Sequence, residues 1–140
     1  MRLDELLRAQ SGVGVERPPE LWEAQTDEAS LVALIGDMLA AAVSAGGLLS
    51  ELALNVSNVV FEMEADDDPG PHTPPVGEYV AVTVCGPIDL GPDGVWNGTG
   101  SRGDGLPGRL HDRLVTAGAR FAYVRRIPPE GSVTVWFPRA

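Results

Sequence analysis

Four polar residues, Glu51, Asn55, Asn58 and Glu62, recur at spacings of four, three and four. At about 100° per residue this spacing predicts one narrow stripe on a helix. An apolar stripe of Leu49, Leu52, Val56, Val60 and Met63 would lie roughly opposite. Asparagine is a poor helix former because its side chain competes for backbone hydrogen bonds. Two in line therefore suggest chemistry. A glutamate could take a proton from an attacking hydroxyl or water. An asparagine oxygen could hold Mg²⁺, a hard cation that keeps waters for phosphate oxygens. A solvated helix face that tolerates its asparagines is the plain alternative.

A second stretch, "GSRGDGLPGRL" at 100–110, packs three glycines into six residues and runs into a predicted helix. The N-terminus of a helix offers unpaired N–H groups and partial positive charge, which suit phosphate. Glycines before it let the backbone approach without a Cβ clash. Asp104 would oppose an anion unless Mg²⁺ or Arg102 offset it. A plain surface loop is the other reading.

The elements that must position these residues follow from periodicity. Residues 1–20 read as an N-terminal arm closed by Pro18-Pro19, and 21–140 as one domain. "LWEAQ" reads as an edge strand. Thr26 is expected to cap a first helix carrying Leu31, Leu34, Ile35, Met38, Leu39 and Ala42 on its buried side, ended by Gly46-Gly47. A second helix is expected over 48–63. "EYVAVTVC" alternates as a strand, with Val80, Val82 and Val84 on one face. Residues 86–105 hold seven glycines and no periodicity. A third helix is expected over 107–117, then the strands "RFAYVRR" and "SVTVWFP", joined by "IPPEG" as a hairpin. The sum is an α/β (α+β) two-layer sandwich: a mostly antiparallel sheet with helices packed on one face.

Charge narrows the partners. The chain has 140 residues, net charge −10 and no lysine. An acidic balance argues against nucleic acid and anionic membrane surfaces. No apolar run reaches spanning length, and "MRLDELLRAQ" has no secretory character, so the expected location is cytoplasmic. Cys85 is the sole cysteine and, with His72 and His111, is too scattered for a zinc site. Cys85 is expected to be an inert buried thiol and His111 to face solvent. Trp96 is expected to cover a neighbouring core edge, although it could stack on an adenine. Trp22, Trp136 and Phe137 are expected to pack sheet against helices.

The order of parts resembles the GHKL (Bergerat-fold) ATP-binding domain from about Leu21 to Arg139. "ELALN" is similar to the family's first box, a Glu, three residues, then Asn. "GSRGDGL" is similar to its glycine-rich box at Gly100, Gly103, Gly105 and Leu106. The size resembles that of the free-standing anti-sigma-factor serine kinases. The resemblance implies ATP and Mg²⁺ as cofactors, Glu51 as base and Asn55 as Mg²⁺ ligand. It implies Asp89 as adenine contact, within "DLG" ending at Gly91, and a phosphate loop at Gly103 and Gly105. It implies a protein partner in bacterial signalling and leaves a homodimer open. Val56 and Asn58 stand where the family commonly has Ala and a basic residue, and Asp89 is displaced from its usual place after the strand. A degenerate, nucleotide-free interaction module is therefore the alternative reading.

Overall fold

The computed structural model describes residues 14–16, 20–46, 48, 51–61, 76–89, 94–96, 110–127 and 130–140. Six strands form one sheet: β1 (Gly14–Glu16), β2 (Ala53–Phe61), β3 (Gly77–Gly86), β4 (Gly94–Trp96), β5 (Phe121–Ile127) and β6 (Glu130–Pro138). Their order is β1-β2-β3-β6-β5-β4. Only β1 and β2 run parallel; every other pair is antiparallel. Helices α1 (Glu28–Ser44) and α2 (His111–Ala117) supply the second layer. This is the two-layer α+β sandwich expected from the sequence.

Period-two alternation decides what the sheet buries. Leu54, Val56, Val80, Val82, Val84, Val133, Val135 and Phe137 are at most 1% exposed. Registers such as Leu54↔Val84, Val84↔Val133 and Val80↔Phe137 put them on one face. Leu31, Leu34, Ile35 and Met38 of α1 and Leu114 of α2 close the same core cluster. Asp27, not Thr26, caps α1: its carboxylate accepts from the Ser30 backbone N–H and hydroxyl, both at 2.8 Å. Gly118 ends α2 at φ +78°, a left-handed conformation that favours glycine.

Three expectations change. Residues 53–61 form strand β2, not a helix. Val56, Val59 and Val60 are β-branched, and Leu54 and Val56 point into the core two residues apart, so pairing with the valines of β3 overrides the helical spacing. Residues 14–16 of the expected arm join the sheet beside β2, so the domain extends N-terminal to residue 21. "LWEAQ" contributes a single bridge, Ala24↔Arg139, rather than a strand.

Among the described residues no helix is long and apolar enough to cross a membrane. The described part of the third expected helix is 111–117, and Pro107 lies outside the described residues.

Candidate functional site

The strand assignment disperses the polar stripe. Asn55 is exposed on the sheet face turned away from the helices, paired in register with Thr83. Asn58 falls on the opposite face, where it is a clasp. Its Oδ1 accepts from the Trp22 backbone N–H at 2.9 Å, and its Nδ2 donates to the Glu20 carbonyl at 2.6 Å. It fastens the approach to α1 onto the sheet. Glu51 is exposed just before β2, and Glu62 lies outside the described residues.

Antiparallel pairing of β2 and β3 does bring the start of one to the end of the other. A Cβ on Gly86 would sit 3.1 Å from the Glu51 carbonyl oxygen. Glu51 and the exposed Asp89, three residues past Gly86, therefore share one end of the sheet. Gly91, Gly100, Gly103, Gly105 and Leu106 lie outside the described residues. Among the described residues no group of three His, Cys, Asp or Glu could hold a metal ion.

The face that no described helix covers carries a different set of side chains. The registers array it in rows across β5, β6, β3 and β2: Arg125, Ser132, Cys85, Ala53; then Tyr123, Thr134, Thr83, Asn55; then Phe121, Trp136, Ala81, Ser57. Tyr123 stacks on Trp136 with centroids 5.2 Å apart and planes 15° from parallel. Phe121 meets Trp136 edge-on at 5.3 Å. The Thr83 and Thr134 hydroxyls share a hydrogen bond of 2.8 Å. Cys85, expected to be buried, is half-buried in this face.

Two depressions flank the aromatic rows. One of about 290 Å³ is lined by Val76, Gly77, Glu78, Tyr79, Arg120 and Pro138. A smaller one of about 50 Å³ is lined by Cys85, Arg125, Glu130, Gly131 and Ser132. Burial pushes the Tyr79 phenol above its ordinary range, and the nearby Arg120 charge partly offsets this. The exposed Arg120 and Arg125 form no ion pair with any described residue. By contrast Arg113 pairs with Asp37 at 2.9 Å, and Arg139 pairs with Glu78 at 2.5 Å while lying over the Trp22 ring.

Trp96, placed in a loop by sequence, is a buried residue of β4 and covers the core edge as expected. Its Nε1–H donates to His111 Nδ1 at 2.9 Å, so His111 is a half-buried partner rather than a solvent-facing side chain. Trp136 and Phe137 occupy opposite faces of β6, and only Phe137 packs sheet against helices. The alternation of Phe121, Tyr123 and Arg125 was the available signal for the open face. It is obscured because its neighbours Ala122 and Val124 are also apolar.

No protein-family model matches the sequence, and no curated protein matches it significantly.

Proposed function

We propose that the chain is a protein-interaction module of bacterial signalling, working in the cytoplasm, that takes its partner on the open face of the sheet. One observation carries the reading. A stacked Tyr123–Trp136 pair lies on a face covered by no described helix, in a strand region bracketed by two exposed arginines, Arg120 and Arg125, that pair with no described acidic residue. Tyr, Trp and Arg are the residue types enriched where protein interfaces concentrate binding energy. The test places a photo-crosslinking residue at Tyr123 and, as a control, at Asp112 on α2. A protein adduct formed from position 123 but not 112, and lost on Arg125→Glu, supports the reading. No adduct, or one indifferent to Arg125→Glu, overturns it.

A second reading keeps ATP and Mg²⁺, with the chain acting as a serine kinase of the anti-sigma type. It is favoured by Glu51 and Asp89 lying at one end of the sheet, with Asn55 four residues along the chain from Glu51. Glu51 would be the base, Asn55 the metal ligand and Asp89 the adenine contact. Phosphoryl transfer asks mainly for positioning and charge neutralisation. Calorimetric titration of ATP with Mg²⁺ decides it. Saturable binding weakened by Asn55→Ala supports this reading; no binding at millimolar nucleotide removes it.

A further inference from the structure

One side-chain hydrogen bond joins two short elements. Strand β4 is three residues long and ends the sheet order, pairing with β5. Helix α2 has seven residues, too few to hold by itself, and its N-cap, Leu110, gives no side-chain cap. Trp96 is the last residue of β4 and His111 the first of α2. The register Trp96↔Ala122 turns the indole to the helix side of the sheet, where it is 1% exposed. Its Nε1–H donates to His111 Nδ1 at 2.9 Å, and the two rings meet edge-on with centroids 5.9 Å apart.

This contact fixes a protonation state. An indole nitrogen only donates, so Nδ1 must present its lone pair. His111 is therefore neutral, with its proton on Nε2. A second proton has only Nδ1 to occupy, where it would point at the Trp96 N–H. Protonation replaces the bond by two opposed donors and leaves a buried N–H without an acceptor. The unpaired N–H groups of a helix's first turn, where His111 stands, also oppose a positive imidazole. Both effects have the same sign, and half-buried His111 is within reach of solvent protons.

We propose that the Trp96–His111 pair is an acid-released latch, which fastens β4 to α2 while His111 is neutral and lets β4 leave the sheet edge when His111 is protonated. Histidine changes charge between about pH 5 and 8. The latched state binds one proton fewer than the released one, so latching weakens as pH falls. The charges around the latch do not reverse that sign. On α2, Asp112 and Arg113 are exposed, and water screens the pull of Asp112. On α1 the acidic residues are Glu28, at its first position, and Asp37, which Arg113 holds at 2.9 Å. Strand β4 carries no titratable group, and Tyr123 and Arg125 of β5 turn to the other face of the sheet. Release frees the β5 backbone that β4 pairs at Ala122–Val124. The latch does not depend on the partner reading above.

Amide hydrogen exchange followed by NMR at pH 8 and pH 5, corrected for intrinsic exchange rates, tests it. Protection of the Trp96 indole N–H and of the β4–β5 amides should fall about tenfold or more on acidification, the scale set by a buried donor that loses its acceptor. Protection of the β3–β6 amides should stay constant. His111→Gln, whose side-chain oxygen accepts at any pH, should remove the fall. His72→Gln, at the other histidine of the chain, should keep it. Imidazole nitrogen shifts of the wild-type chain at pH 8 should show His111 protonated on Nε2 alone, a readout that needs no variant to fold. A proton on Nδ1 at pH 8 overturns the inference. So does protection of β4 that is equal at the two pH values, or a fall that survives His111→Gln.

Discussion

The two faces of the sheet come from the same strands and differ residue by residue. On β6, Val133, Val135 and Phe137 turn to the helices and are wholly buried, while Ser132, Thr134 and Trp136 turn the other way. Among the described residues the helix side is mostly aliphatic; at its margins Asn58 bonds to the Trp22 N–H and the Glu20 carbonyl, and the Trp96 Nε1–H to His111. The open side mixes stacked rings, paired hydroxyls and exposed guanidinium groups. Aliphatic packing rewards exclusion of water and little else. Rings and arginines at a half-wet surface can still gain by burial against something further. One face is buried by folding; the other leaves ring surface half-exposed.

Neighbouring positions on β6 give the sharpest way to break that contrast. Phe137→Ala should cost about 3–5 kcal/mol, the range for a fully buried ring replaced by alanine. Trp136→Ala, though it deletes a larger ring, should cost about 1–2 kcal/mol, since its half-buried surface contributes in proportion to area removed from water. Urea denaturation of the two variants measures both. Equal losses would mean that the open face is as much core as the other.

Much of this architecture was legible in the sequence. The apolar period of α1, the alternation Val80-Val82-Val84 and the two final strands all appear where their patterns put them. The failure at 53–61 has a physical source. Leu52, Val56 and Val60 fit a helical period as well as a strand, and a short apolar run cannot show which. Its choice is made by β3, whose valines offer a flat, branched partner surface 20–30 residues away. The same slip moved Asn55 and Asn58 from one imagined stripe to opposite faces, one exposed and one a clasp. The open-face cluster was hidden because strands apolar on both sides do not announce which side is wet.

A smaller loss is expected where an aromatic ring with a polar atom enters the helix side. Trp96 is 1% exposed and its Nε1–H has His111 Nδ1 as acceptor. His111→Ala should cost about 1–3 kcal/mol by leaving a buried donor unmatched. His111→Gln, which can present an acceptor oxygen, should recover part of it. On the open face the corresponding pair behaves differently. Thr134→Val alone should cost about 1 kcal/mol, and Thr83→Val with Thr134→Val should cost nearly nothing, because removing both partners leaves no unpaired hydroxyl. A double-mutant cycle in urea would show this coupling. Additive losses would mean that the two hydroxyls act through water rather than each other.

The smallest effects separate the layers by pH. The Ser30 backbone N–H, and then its hydroxyl, hold the Asp27 carboxyl below its usual range. The fold thus favours the charged carboxylate. Its contribution is complete above the unfolded-state value, about 3.9, and is lost as pH falls through the lower folded value. Tyr79 on the open face has the opposite sign. Burial raises its phenol, against a smaller pull from Arg120, so the fold favours the neutral form. That contribution is complete below about pH 10 and is lost as pH rises through the folded value. Denaturation midpoints from pH 2 to 11 should therefore show an acid limb reduced by Asp27→Asn, which retains a capping oxygen, and an alkaline limb reduced by Tyr79→Phe. Each substitution should leave the other limb unchanged. Arg120→Gln should move tyrosinate formation to still higher pH, read at 295 nm and assigned by its disappearance in Tyr79→Phe. An Arg120→Gln variant that titrates at the wild-type position would show that the arginine's charge is screened by solvent, and that the open face presents less positive potential than a partner rich in carboxylates would need.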